Sequence, residues 1–275
     1  MLVTLKEILK IAEEDKTAIG SFNTPNMTSV KAVIAAAEAV NRPVILMHAE
    51  VHEEMGLCKM EDILPVMLHF AKKSRVPVCV HLDHGTDLDY VERGLKLGFT
   101  SVMYDGSVSD EKTNTENTRR IVKKAAECGA SVEAEIGSMG AREGGENAAP
   151  SVYTEPEAAR RFTVNTGIDA LACAFGTAHG FYLKKPQLDF ERLSEIKAVI
   201  DVPIVMHGGS GVCEDDYREV IKRGVRKINY YTYMAKAGAE AISNKEYSQF
   251  HDALLDAEKA MKENVLRAIK VFSNK

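Results

Sequence analysis

The sequence predicts a single (β/α)8 barrel, an α/β domain spanning residues 1–275 with a C-terminal helical extension, and three observations carry that expectation. The chain has 275 residues, close to the roughly 250 typical of one such barrel. Eight short runs of β-branched and apolar residues recur, each separated from the next by helical spacing, which is the alternation of βαβ units on a parallel sheet. Gly98, Gly129, Gly167 and Gly224 stand just before strands, where a left-handed helix C-cap belongs.

In chain order the strands are predicted over 18–22, 44–48, 78–82, 101–104, 131–136, 170–175, 204–207 and 227–230. Helical patterns fill the intervals, among them 28–40 with its run of alanines, 87–97, 111–128 and 215–222. An open doubly wound sheet is the competing arrangement, but no G-x-G-x-x-G turn follows the first strand, where a dinucleotide fold places it. The connection over 137–156, GSMGAREGGENAAPSVYTEP, is long and rich in small and polar residues, as active-site lids are and as plain surface insertions also are. After Tyr231 the chain becomes helical, with an amphipathic stretch over 253–272 that closes the barrel and offers a face to another subunit.

Composition narrows the function classes. A formal net charge of -5 and a pI near 6.0 give no basic footprint for nucleic acid. The longest apolar runs, such as 43–47 and 169–175, fall far short of the roughly 20 residues of a membrane span. The first residues mix acids and bases without the apolar centre of a signal peptide, so a cytoplasmic enzyme is expected. Five cysteines, widely spaced and without a C-x-x-C pair, predict reduced thiols rather than a disulfide framework or a thiolate zinc site.

Catalytic groups of such barrels come from the C-terminal ends of strands. The third strand ends in His81-Leu82-Asp83-His84-Gly85, the sixth runs into Gly176-Thr177-Ala178-His179-Gly180, and the seventh ends in His207-Gly208-Gly209-Ser210-Gly211. His84, His179 and His207 thus converge on one mouth. Three neutral imidazoles at about 2.0–2.1 Å leave a fourth position open on a zinc ion, the arrangement of a catalytic site. Asp83, beside them, can move protons. His81 is either structural or a support of this site, whereas His48, His52, His69 and His251 suggest no partner. Gly208, Gly209 and Gly211 let backbone N–H groups approach an anion, and Asn229 and Thr232 offer side-chain donors near it, so a phosphate is expected there.

These residues resemble the class II, zinc-dependent ketose-bisphosphate aldolases, which cleave fructose or tagatose 1,6-bisphosphate. The resemblance spans nearly the whole chain and rests on IGSFN at 19–23, VPVCVHLDHG at 76–85, FTSVMYDGS at 99–107, SVEAEIG at 131–137, GTAHG at 176–180 and VPIVMHGGSG at 202–211. It implies that His84, His179 and His207 are zinc ligands, with Glu135 near the metal as an alternative position. It further implies that Asp83 is the acid/base at the C4 hydroxyl and that Glu143, in the long loop, exchanges the C3 proton of dihydroxyacetone phosphate. Gly180, Gly208, Gly209, Ser210, Asn229 and Thr232 match the positions that hold the C1 phosphate, and Asn23 and Tyr231 complete the expected substrate contacts. No lysine Schiff base is required, because zinc stabilises the negative charge that develops at C2. Na+ or K+ is a candidate second ion, and a homodimer or homotetramer is implied.

The sequence departs from this pattern on the distal side. Tyr231 stands where the family usually has an aspartate, Ala235 where it has the arginine that pairs with the distal phosphate, and Ala49 where serine is common. Leu183 replaces a common lysine, and AREGG replaces the usual GG-x-ED; Lys184 and Lys236 lie near enough in sequence to compensate. A flexible lysine does not reproduce a bidentate arginine. The expected substrate is therefore a ketose 1-phosphate or 1,6-bisphosphate, with a substrate lacking the distal phosphate as the alternative. Two other classes compete: a non-catalytic aldolase-like partner subunit, and a metal hydrolase, whose usual H-x-H pair is absent from the first strand.

Overall fold

The structure, a computed structural model, describes residues 1–137, 152–182 and 184–274. Eight parallel strands form the barrel: β2 (Ile19–Asn23), β3 (Val44–Ala49), β4 (Val78–Gly85), β5 (Ser101–Tyr104), β6 (Ser131–Ile136), β7 (Ala170–Cys173), β8 (Ile204–Met206) and β9 (Val225–Asn229). Each pairs with the next in sequence, and β9 returns to β2, so the ring closes. The predicted strands agree with these to within a few residues at each end. A ninth, short strand, β1 (Leu2–Val3), pairs with Val78 and Cys79 at the start of β4, on an edge that β5 reaches only from His81 onward.

Helices follow the strands around the outside, including α2 (Met27–Val40), α5 (Leu88–Leu97), α6 (Glu111–Cys128), α7 (Pro156–Thr166) and α9 (Glu214–Lys222). Their ends follow local chemistry. Asp110 caps α6 by accepting from the Thr113 N–H, and Asn26 and Ser29 form a reciprocal cap at α2. Gly98, Gly129 and Gly167 take the left-handed C-cap as expected, while Gly224 falls one residue beyond the cap of α9, which is Arg223. The amphipathic C-terminal stretch is longer than predicted, α11 (Phe250–Phe272), and packs on α2 and α10 (Thr232–Ile242).

One element goes beyond the sequence expectation. α1 (Leu5–Asp15), opened by a Thr4/Glu7 capping box, carries Leu5, Ile8, Leu9 and Ala12 on one face. That face closes the bottom of the barrel against the inward-facing Ile19, Ile45, Cys79, Ala170 and Val205. Fully burying each of the larger side chains is worth about 1.5–3 kcal/mol before entropy, so the helix seals the apolar floor. His84, His179, His207, Asp83 and Glu135 lie toward the opposite, C-terminal end, whereas the buried Glu133 and Lys227 stand level with Ala170 and Ile19 in the strand register, and Ser131 Oγ accepts from the Lys6 N–H of this helix at 3.0 Å. Among the described residues no helix is long and apolar enough to cross a membrane, and all five cysteines are free, Cys79 and Cys173 buried.

Candidate active site

Alternation along β4 points Cys79, His81 and Asp83 into the barrel, and the same rule would turn His84 outward. It does not, because the β4–β5 register shifts between Leu82 and Gly85 and His84 adopts a positive φ of 48°. A non-glycine residue in this region is strained, and such strain gathers at functional sites. Here it lets two adjacent residues share one mouth. On β6 the i, i+2 pair Glu133 and Glu135 faces inward, and on β9 the pair Lys227 and Asn229 does the same. His179 arrives on the turn after β7, where Gly176 (φ 112°) is required: a Cβ there would lie 2.2 Å from the Gln187 carbonyl oxygen.

The three imidazoles predicted as a set are brought together. Ring centroids of His84 and His207 are 4.5 Å apart, those of His84 and His179 5.1 Å, and those of His179 and His207 5.9 Å, with planes nearly perpendicular. Nε2 of His84 and Nδ1 of His207 face each other at 2.7 Å. Their other nitrogens are engaged by carboxylates, His84 Nδ1 by Asp105 at 2.7 Å and His207 Nε2 by Glu133 at 2.8 Å. Each carboxylate fixes its ring and turns the free nitrogen inward, as the outer partners of metal-bound histidines do. His84, Asp105 and Glu135 form a second group of converging ligand atoms beside the first.

Asp83 lies between these rings and two amides, with Asn23 Nδ2 donating to one oxygen and Asn229 Nδ2 to the other, each at 3.1 Å. Lys227, fully buried, orients that arrangement: its ammonium contacts Asn229 Oδ1 at 2.8 Å and Glu133 Oε2 at 2.9 Å. Four carboxylates, Asp83, Asp105, Glu133 and Glu135, thus surround a cluster whose permanent cation is Lys227. Burial alone would raise the Asp83 carboxyl, but His84, His207 and Lys227 hold it well below the usual carboxylate range. Burial would likewise lower His84, yet Asp83 and Asp105 push it up to about 10. Burial, followed by the neighbouring Asp105, raises Glu135 well above its ordinary value. The pocket calls for positive charge at the imidazoles, which a cation would supply.

The cluster opens into a cavity of about 690 Å3. Every expected substrate residue among those described reaches it: Asn23, Gly180, Gly208, Gly209, Ser210, Asn229, Tyr231 and Thr232. α10 begins at that wall, and its N-cap, Tyr231, supplies no side-chain cap. The glycines do not act alike. Gly209 donates its N–H to the Asn229 carbonyl at 3.0 Å, and a Cβ at Gly209 would meet that oxygen at 2.7 Å, so close packing is its role. Glu143, most of the long loop and Leu183 lie outside the described residues. Neither Lys184 nor Lys236 lines the cavity.

Among the remaining histidines, His81 supports the site, with Nδ1 2.8 Å from Ser101 Oγ and Nε2 3.7 Å from Glu133. His52, for which the sequence suggested no partner, lines the cavity and packs on the Tyr231 ring at 4.9 Å, because α3 (Glu50–Glu54) extends the mouth beyond β3. Asp105, Glu133, Lys227 and Tyr182 were not anticipated. Asp105 follows a strand end, and Glu133 and Lys227 stand two residues before Glu135 and Asn229, so the period of two was their signal. Tyr182, which accepts from the Ala178 N–H and donates to the Gly208 carbonyl, ties the two strand-end turns together. It left no such trace.

Comparison with known proteins agrees over the full length. The family model for fructose-bisphosphate aldolase class-II matches residues 3–275. The fructose-bisphosphate aldolase of Staphylococcus aureus is 35% identical, over 98% of this chain and 97% of the relative, and that of Staphylococcus epidermidis is 34% identical over the same shares. The crystal structure of the YdjI aldolase from Escherichia coli K12 superposes with a TM-score of 0.89 at 33% identity, covering 99% of this chain and 97% of that one. With a closed barrel, a carboxylate-braced histidine cluster and matches of this extent, the chain belongs to the class II fructose-bisphosphate aldolase family and is a lyase.

Proposed function

We propose that this enzyme cleaves a ketose carrying a 1-phosphate reversibly into dihydroxyacetone phosphate and an aldehyde, using zinc held by His84, His179 and His207. The observation that carries the reading is the pair of inward ring nitrogens 2.7 Å apart, each on an imidazole braced from behind by a carboxylate. Neutral nitrogen donors surrounded by excess carboxylate charge suit a zinc ion with an open position. Glu135, which has a buried oxygen with no hydrogen-bond partner among the described residues, offers a second resting position together with His84 and Asp105. A zinc ion so held supplies a Lewis acid that stabilises negative charge on the C2 oxygen while the C3–C4 bond breaks.

The chain's own groups do the rest. Asp83, ionised and positioned by two amides, accepts the proton of the C4 hydroxyl and returns it in the condensation direction. Glu143 is assigned the C3 proton. Gly180, Gly208, Ser210 and Thr232, at the start of α10, receive the C1 phosphate, since a helix N-terminus and glycine-rich backbone favour an anion. Na+ or K+ as a second ion, a homodimer or homotetramer and a cytoplasmic location complete the assignment. A non-catalytic role is disfavoured, because Asp83 keeps both amide partners and all three histidines converge.

The test is direct. Chelator-treated protein should lose aldol cleavage and regain it with zinc. Asp83→Asn should lower cleavage by roughly 10²–10⁴-fold while binding zinc as the parent does. Full turnover without metal, or in Asp83→Asn, would remove the assignment.

A further inference from the structure

We propose that the acceptor half of this site takes an aldehyde that bears no phosphate and ends in an apolar, deoxygenated group; the proposal rests on the retro-aldol reading above. The cavity has two unlike ends. Around Asp83 and the histidines it is charged and hydrogen-bonded, as described. The outer wall is built mainly from Val51, Met55 and Leu57 on and after α3, Val108 after β5, Phe181 after β7, and Tyr231, with His52 and Ser107 as its polar members. Five of the main six are aliphatic or phenyl side chains, and the sixth turns an aromatic ring toward the mouth.

Charge decides against a distal phosphate. No lysine or arginine lines the cavity among the described residues, and its acidic lining groups are Asp83, Asp105 and Glu135. A phosphate dianion at the outer end would leave water for a wall that is apolar apart from His52 and Ser107 and that, among the described residues, offers no lysine or arginine, with carboxylates on the far side. The C1 phosphate does not face this difficulty, since backbone N–H groups and the α10 N-terminus meet it. The nearest candidate for compensation is committed elsewhere: Lys236 lies over the Phe181 and Tyr233 rings at 5.6 and 5.9 Å and pairs with Glu240 at 3.5 Å.

Exposure points the same way. Met55, Leu57 and Phe181 are 60%, 51% and 48% exposed, and Val108 is 90% exposed, all on one rim. A substrate whose last carbons are methyl or methylene covers this surface, whereas a hydroxylated and phosphorylated tail does not. Tyr231 is fixed for such a contact, since its ring packs on His52 and its N–H donates to Ser210 Oγ at 2.9 Å.

The condensation direction tests this with defined probes. The zinc-loaded enzyme is given dihydroxyacetone phosphate with lactaldehyde, glyceraldehyde or glyceraldehyde 3-phosphate. In each case C3 of the donor bonds to the aldehyde carbon, the C3 proton passes through the assigned base to solvent, and the aldehyde oxygen takes a proton that Asp83 relays from solvent, so that no net proton is gained or lost. The expected kcat/KM for lactaldehyde exceeds that for glyceraldehyde 3-phosphate by about tenfold or more, the scale on which an apolar pocket resolves a single small group. Val108→Arg, at an exposed rim position that leaves the core untouched, should shift the ratio toward the phosphorylated aldehyde. Preference of the parent enzyme for glyceraldehyde 3-phosphate, or an unchanged ratio in Val108→Arg, overturns the proposal. Solvent exchange of the C3 proton of dihydroxyacetone phosphate without any aldehyde reports the donor half alone. Exchange together with a phosphate preference defeats only the acceptor inference, whereas absence of exchange defeats the retro-aldol reading beneath it.

Discussion

Replacing Lys227 with methionine removes a buried ammonium while nearly keeping its length and volume, so the loss is electrostatic. The partner it leaves, Glu133, has a fully buried side chain and is 2.9 Å from the ammonium in the parent. Burial by itself would raise the Glu133 carboxyl, but Lys227 and then the His207 hydrogen bond hold it down to about 2. Breaking a buried pair from one side costs about 3–5 kcal/mol, a large part of the roughly 5–15 kcal/mol that keeps a domain folded. For a chain of this size each kcal/mol lowers Tm by roughly 2–4 °C, which gives a fall of about 6–20 °C. The assay is urea and thermal unfolding, followed by circular dichroism on chelator-treated protein so that metal linkage does not enter. The four proteins are the parent, Lys227→Met, Glu133→Gln and the double variant. Each single change strands one charge and the double change strands none, so the double variant should be more stable than the sum of the singles by about 2 kcal/mol or more. Additive losses, or a Lys227→Met variant within about 1 kcal/mol of the parent, would refute the argument that this pair organises the barrel interior.

Three further outcomes follow from the same geometry. Asp105→Asn keeps the shape beside His84 but removes the carboxylate that accepts from Nδ1 at 2.7 Å; zinc affinity in competition with a chelator should fall by roughly 10–100-fold, and unchanged affinity would count against the bracing role. Gly208→Ala places a Cβ 2.2 Å from the Ala178 carbonyl oxygen at a φ of 60°; we expect a loss of about 1–3 kcal/mol from the backbone strain alone, with weakened metal binding as the turn bearing His179 shifts. His48, buried and lowered to about 4 by burial and by His52, stays neutral in the fold where the unfolded chain takes up a proton below pH about 6.5. The His48 contribution to stability is therefore complete above pH 6.5 and declines by about 3 kcal/mol as pH falls to 4, a slope that His48→Gln should flatten in urea midpoints measured across that range.

The fold was legible because the barrel wall repeats one pattern eight times, and each apolar run has to be buried on both faces. α1 was harder to assign. Its spacing of Leu5, Ile8, Leu9 and Ala12 is amphipathic, but what it covers exists only once Ile19, Ile45, Cys79, Ala170 and Val205 have been assembled from five strands. The three histidines and Asp83 stood out by lying at strand ends beside glycines, and the structure brings them together. His84, however, contradicts simple alternation. Neighbouring inward residues on one strand require the register shift and positive φ seen there, which no periodicity announces. Lys227 and Glu133 were hidden for the opposite reason, since a charged residue within a strand ordinarily marks a solvent-facing position. Here the inward face is the charged one.

That inversion explains how the site divides. The donor half is made of strand-borne pairs spaced two apart, Glu133 with Glu135 and Lys227 with Asn229, joined through His81, Asp83 and His207. Hydrogen bonds between strands hold their spacing, so a change at one member is transmitted to several others, as the Lys227 to Asn229 to Asp83 chain illustrates. The acceptor half is made of side chains on and after α3 and on the segments after β5, β7 and β9, which are separate connections, and four of them, Met55, Leu57, Val108 and Phe181, are exposed at the rim. Val108 or Leu57 can change without disturbing a buried partner. Substitutions in the first group should therefore lower kcat for every aldehyde alike, whereas those in the second should redistribute kcat/KM among aldehydes and leave C3-proton exchange intact. A rim substitution that abolished exchange would mean the two halves are mechanically coupled, against the separate mounting of the rim described above.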